Sequence, residues 1–131
     1  MSKQSQNEEF RRNRERLNEL VLNYGGKDIK RFFSLDNQVY REGALTTNTK
    51  ELLGLVASLV LRCDDCIRYH IQQCHLVGVK TEELREALAI GLVVGGSITI
   101  PHLRRAIETW DELINISQIN KEEINGKSDT A

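Results

Sequence analysis

Residues 52–61 read Leu-Leu-Gly-Leu-Val-Ala-Ser-Leu-Val-Leu, an uncharged run that is apolar everywhere but Gly54 and Ser58. On a helix such a run is apolar on nearly every side, which predicts an element buried all round. It falls well short of the roughly 18 residues a bilayer span requires, so it reads as a core helix of a globular domain. Asn48 stands just upstream as a candidate cap. A second uncharged stretch, residues 87–96, has the same character and breaks at Gly95-Gly96.

Outward from these two runs the apolar spacing stays helical. Phe10, Leu17, Leu20, Val21 and Tyr24 form one amphipathic stripe, ended by Gly25-Gly26, and Ile29, Phe32, Phe33, Val39 and Tyr40 form a second, closed by Gly43. A further helix begins near residues 63–65, where Asp64 and Asp65 suit the positive end of the dipole. It runs through Ile67, Ile71 and Cys74 to a stop at Gly78. Thr81 is placed to cap the next, with Glu82 and Glu83 in its first turn, and Pro101 fits the opening turn of a last helix through Leu103, Ala106, Trp110 and Ile114. The ends, about residues 1–6 and 117–131, are polar and predicted to be loose. The expectation is one all-α domain spanning 1–131, of about six helices. A domain this small has few surfaces with which to bury two helices that are apolar on most faces, so association between subunits is expected as well.

Composition agrees. The chain has 131 residues, 40% hydrophobic and 28% charged, with 18 Lys+Arg against 19 Asp+Glu. A net charge of −1 supplies no basic surface for nucleic acid or anionic lipid. The basic cluster Arg11, Arg12, Arg14 and Arg16 is interleaved with Glu8, Glu9 and Glu15 and reads as a solvated helix face. A single Pro and 5% aromatic residues argue against a sandwich or barrel. Residues 1–9 carry no apolar signal core, so a cytoplasmic protein is expected, and three cysteines there point to redox chemistry or metal rather than a disulfide scaffold.

The chemistry concentrates in Cys63-Asp64-Asp65-Cys66-Ile67-Arg68-Tyr69-His70. Residues three and four apart are neighbours on a helix surface, so Cys63, Cys66 and His70 share one strip. A thiol at a helix N-terminus gains thiolate character from unpaired N–H groups, and an imidazole one turn away can take or return its proton. Dithiol redox chemistry is the leading reading. The thiols also fit two others, as small buried hydrophobes or as ligands of a three-residue zinc site with His70. Adding Cys74 as a fourth zinc ligand fails, because Cys66 and Cys74 lie about 12 Å apart along a helix axis. Cys74 itself reads as a buried small residue, His75 as exposed, His102 as capping or pocket-lining, and Tyr69 as packing between subunits or closing the site.

Glu51 stands twelve residues before Cys63. The pattern Glu51-x11-Cys63-x2-Cys66-x3-His70, followed by Gly78, Glu83 and Gly95-Gly96-Ser97, resembles the alkylhydroperoxidase D / carboxymuconolactone decarboxylase family over about residues 45–110. The resemblance implies an all-helical core, assembly into trimers or hexamers, and a dithiol that reduces peroxides or exchanges electrons with a partner disulfide. By position Cys63 and Cys66 would be the redox pair, with Glu51 and His70 as the proton relay and no metal or cofactor. The reductant would be a dithiol protein or small thiol. Two departures stand out. Asp65 occupies the place where well-studied hydroperoxidases carry a second His, and the decarboxylase members generally lack the Cys pair.

Chain geometry alone does not bring Glu51 to the cysteines, since twelve helical residues span about 18 Å. Glu51 is also three residues past Asn48, where it can serve a capping box. The helix end favours Cys63 as the more acidic thiol, and spacing to His70 favours Cys66 as the activated one. A lactone decarboxylase on the same scaffold and a non-enzymatic redox sensor are the alternatives.

Overall fold

The computed structural model describes residues 5–128. Among them the elements are α1 (Gln6–Tyr24), α2 (Gly26–Val39), α3 (Thr47–Leu61), α4 (Asp64–Leu76), α5 (Thr81–Gly95), a short 3-10 helix (Ser97–Thr99) and α6 (Ile100–Ser128), with no strand. The all-α expectation holds, and no helix among the described residues is long and apolar enough to cross a membrane.

Helices α3, α4, α5 and α6 supply the core. Leu55 and Leu59 of α3 meet Ile67, Ile71 and Cys74 of α4, Leu84 and Leu88 of α5, and Ala106 and Trp110 of α6, all buried. At its start helix α1 is pinned across this group by one buried residue. Asn7 Nδ2 donates to Thr109 O at 3.1 Å, its N–H donates to Glu112 Oε1 at 3.2 Å, and its carbonyl accepts from Gln72 Nε2 at 3.0 Å. The backbone N–H and carbonyl of Asn7 and its side-chain amide nitrogen are thus all bonded across to α4 and α6, as burial demands. The anchor lays α1 beside α4, and the chain reverses at Gly26, whose φ of 67° is open to a residue without a Cβ. Helix α2 follows with no buried residue at all.

Several boundaries differ from the sequence expectation, each for a local reason. Helix α3 is capped by Thr46, whose hydroxyl accepts from Thr49 N–H at 3.2 Å, while Asn48 donates instead to Val77 O at 3.0 Å. Helix α5 is capped at Lys80 rather than Thr81. There the Glu83 carboxylate accepts from Lys80 N–H at 2.9 Å, because the Thr81 hydroxyl is taken by Trp110 Nε1 at 3.1 Å. Helix α2 ends at Val39, before Gly43, because Lys50 Nζ captures the carbonyls of Val39 and Arg41 at 2.8 and 2.6 Å.

Both ends carry helix within the described residues. Ser5 caps α1 by accepting from Glu8 N–H at 3.1 Å, so Gln6 is already helical. Helix α6 continues through residues 117–128, since extending an existing helix costs far less than nucleating one and no Pro interrupts it. The remaining terminal residues, 1–4 and 129–131, lie outside the described ones.

Neither of the two apolar runs is buried all round within one chain. Leu53 and Leu61 of α3 are exposed, as are Ile90, Val93 and Val94 of α5.

Candidate functional site

The route into the cysteines is set by the end of α3. Arg62 adopts a left-handed conformation, φ 59° and ψ 41°, at a position where glycine is the usual occupant. Its N–H donates to Leu59 O at 3.0 Å, and the N–H of Cys63 donates to Ser58 O at 3.1 Å. This paired closure reverses the chain and delivers Cys63 directly as the N-cap of α4. Cys63 Sγ accepts from Cys66 N–H at 3.2 Å. One sulfur therefore sits among the unpaired N–H groups of a helix start, where negative charge is favoured.

Cys63 and Cys66 are joined as a disulfide, with Cα atoms 5.3 Å apart. Cys66 is exposed and Cys63 half-buried. Cys66 opens onto a pocket of about 380 Å³ that His70 also lines, together with Asp65, Tyr69, Asp36 and, from α1, Arg14. Arg14 lies 3.8 Å over the Tyr69 ring, and Tyr69 in turn stands edge-on to His70, so it packs at the site within the chain.

Behind the pocket, Glu51 and His70 meet. Glu51 Oε2 is 2.9 Å from His70 Nδ1, and both residues are buried. The antiparallel turn from α3 into α4 accomplishes what twelve helical residues could not. It brings Glu51, near the start of α3, level with His70 in the second turn of α4. Glu51 is thus no capping-box residue. With Glu51 accepting from Nδ1–H, Nε2 is the nitrogen left with a lone pair.

A third side chain completes this arrangement. Tyr40, directly after α2, places its hydroxyl 3.5 Å from His70 Nε2. Its backbone is tied to α3, the Tyr40 carbonyl accepting from Thr47 Oγ1 at 2.9 Å. Burial first, and then the carboxylates of Glu51 and Asp36, hold the Tyr40 phenol above its usual range. Gly54 explains how the imidazole and the phenol fit against α3. A Cβ there would stand 2.7 Å from His70 Cε1 and 2.9 Å from the Tyr40 hydroxyl oxygen. From sequence Tyr40 is only the last apolar position of an amphipathic stripe, and nothing in its spacing points to the cysteines.

The remaining candidates fall elsewhere. Cys74 is fully buried, and desolvation, followed by the charge of Glu51, pushes its thiol up to about 12. His75 is half-buried rather than exposed, 3.0 Å from Ser117 Oγ and edge-on to Trp110. His102 does not line the pocket. Its Nδ1 is 2.7 Å from Asp64 Oδ1, and Arg105 Nε donates to Asp64 Oδ2 at 3.0 Å. Burial would raise the Asp64 carboxyl, but these His102 and Arg105 hydrogen bonds outweigh it and hold the group below its usual range. Among the described residues no group of three or more His, Cys, Asp and Glu side chains is placed to hold a metal ion.

The carboxymuconolactone decarboxylase family model matches residues 29–109. The chain belongs to that family. The match begins within α2, so Tyr40 lies inside the matched region, which starts upstream of residue 45. A Thermotoga maritima member for which a part in antioxidative response has been suggested is 55% identical, with a TM-score of 0.82 over 86% of this chain and 95% of its own. A second crystal structure from Thermotoga maritima gives 57% identity and a TM-score of 0.83 over 84% of this chain and 96% of that one. A Paracoccus denitrificans protein of the cox locus is 27% identical over 82 residues, 63% of this chain and 74% of its own.

Proposed function

We propose that this family member is a thiol–disulfide oxidoreductase that reduces hydroperoxides through Cys63 and Cys66. The observation that carries the reading is the shared pocket. An exposed sulfur and an imidazole open onto one cavity, with a carboxylate buried behind the imidazole.

In the reduced protein the Cys66 thiol gives its proton to His70, and the buried Glu51 carboxylate offsets the imidazolium charge. The Cys66 thiolate attacks the terminal peroxide oxygen. An S–O bond forms, the O–O bond breaks, and the departing alkoxide takes the proton back from His70, leaving an alcohol and a sulfenic acid. The Cys63 thiol then displaces hydroxide from that sulfur, its own proton completing a water molecule. The sulfur pair has lost two electrons and the peroxide has gained them.

Resetting uses the same asymmetry. A dithiol protein or small thiol attacks the exposed Cys66 sulfur, and Cys63 leaves as a thiolate held at the helix N-cap, where a better leaving group speeds exchange. A second thiol then attacks the reductant's sulfur in the mixed disulfide, releasing Cys66 and the reductant as its own disulfide. Such a cycle suits a reducing compartment such as the cytosol. The apolar faces of α2, α3 and α5 left open in one chain support assembly as a trimer or hexamer. The antioxidative part suggested for the Thermotoga maritima relative supports the same chemistry here, and an intact dithiol favours it over lactone decarboxylation.

The test is peroxide consumption with a dithiol reductant, comparing the parent with Cys63→Ser, Cys66→Ser and His70→Ala. Each cysteine variant should lose turnover, and His70→Ala should fall by on the order of 100-fold. Equal consumption by all four preparations would overturn the reading. Turnover of a muconolactone-type acid that survives replacement of both cysteines would select the lyase instead.

A further inference from the structure

Tyr40 has no place in the Glu–CxxC–His pattern, yet the fold spends several contacts on holding it. Thr47 and Lys50, in the first turn of α3, grip the carbonyls of Val39, Tyr40 and Arg41. Gly54, one turn further along the same helix, leaves the space into which the phenol and the imidazole converge. The result is a line of three groups, Glu51 to Nδ1 at 2.9 Å and Tyr40 to Nε2 at 3.5 Å, with the imidazole between them. The outer contact is long for a hydrogen bond, as relay contacts often are before substrate tightens them.

From this geometry we infer that Tyr40 is a positioning residue for His70, its hydroxyl serving Nε2 in both protonation states of the imidazole. A phenol can donate or accept by rotating its O–H. It donates to the Nε2 lone pair of neutral His70 and rotates off it as the Cys66 proton arrives there. Once His70 has taken the Cys66 proton, the hydroxyl turns and accepts from Nε2–H, so the imidazolium is not stranded without a partner in a buried place. No bond beyond that proton's own is made or broken, and no electrons move. A phenylalanine would keep the ring packing against His70, whose centroid is 5.4 Å away, and lose the switching partner alone.

This inference rests on the dithiol reading for its kinetic consequence, but its first readout does not. The charged and titratable groups facing the Tyr40–His70 pair are Glu51 on α3, Asp36 on α2, Tyr69, Asp65 and Cys66 on α4, and Arg14 on α1. None is altered by two variants of the full chain, Tyr40→Phe and a replacement of Tyr40 by 3-fluorotyrosine. Fluorination keeps the shape and makes the phenol more acidic. Nitrogen-15 NMR of the His70 imidazole should show the Nε2 resonance moving in Tyr40→Phe. In single-turnover oxidation of the reduced protein by an organic hydroperoxide, followed by thiol alkylation, Tyr40→Phe should be slower by about tenfold. The fluorinated protein should lose rate at lower pH on the alkaline side than the parent.

An unchanged His70 nitrogen spectrum in Tyr40→Phe overturns the inference. So do superimposable pH–rate profiles for the parent and the fluorinated protein. A shifted His70 spectrum in a protein that consumes no hydroperoxide upholds the Tyr40 contact and rejects the peroxidase reading, so the two failures are distinguishable.

Discussion

Two histidine–carboxylate pairs flank the Cys63–Cys66 disulfide, and they differ in burial far more than in geometry. His70 and Glu51 meet at 2.9 Å with side-chain exposures of 11% and 5%. His102 and Asp64 meet at 2.7 Å, a shorter contact, with exposures of 19% and 46%. Distance alone would rank the second pair first. Water reverses the ranking, because an exposed pair is screened and can exchange its partner for solvent, whereas a buried pair has only itself. The Asp64 pair therefore reads as a clamp holding the first turn of α4 to the start of α6. The Glu51 pair is the one that suits the proposed proton transfer, because its imidazole borders the pocket and its carboxylate is buried.

The largest effect should come from removing charge on the buried side. Glu51→Gln preserves an oxygen acceptor for Nδ1 yet no longer offsets an imidazolium, so the single-turnover rate with a hydroperoxide should fall by on the order of 100-fold. A rate within threefold of the parent would erase the distinction between the two pairs. Gly54→Ala comes next. Its methyl group must displace His70 and Tyr40 from positions 2.7 and 2.9 Å away, and overpacking of this kind costs about 1–3 kcal/mol, measurable by chemical denaturation together with a loss of activity.

Burial can also be read on the alkaline side. Burial, and then the charge of Glu51, pushes the Cys74 thiol up from its ordinary 9.0 to about 12 in the folded chain. Its folded value is raised, so its contribution to stability is whole below pH 9 and is lost as pH climbs toward 12. Denaturation midpoints should decline across that window, and more steeply in the parent than in Cys74→Ala. Equal slopes would remove Cys74 as the cause.

The smallest effect belongs to the exposed pair. His102→Ala should cost less than about 1 kcal/mol and leave peroxide turnover within twofold. The Asp64 carboxyl lies below its usual 3.8, so whatever stability it lends is present above that pH and lost only as acid carries the protein through the lower folded value. A large activity loss in His102→Ala would break the comparison, since it would make the shorter but wetter contact the one that matters.

Much of this was legible in the residues themselves. Apolar spacing and the near absence of Pro lead to an all-α domain, since period and breakers are local properties of the chain. The strip Cys63, Cys66 and His70 follows equally from helical geometry. What local periodicity did not reveal were the caps at Thr46 and Lys80 and the extension of α6. Those depend on competition for a hydroxyl by Trp110, on a carbonyl of Val77 and on a helix already nucleated upstream.

The meeting of Glu51 with His70 was available only as a family pattern, and Tyr40 was not available at all. Both depend on contacts between elements distant in the chain, nineteen and thirty residues apart, which no periodicity encodes. Sequence alone determined which side chains are candidates for the chemistry and that the two sulfurs stand one turn apart. Tertiary structure decided which sulfur opens to the pocket and which nitrogen of His70 meets Glu51. It could do so because a left-handed Arg62 folds α4 back along α3, and because Gly54 has no side chain to keep the partners apart.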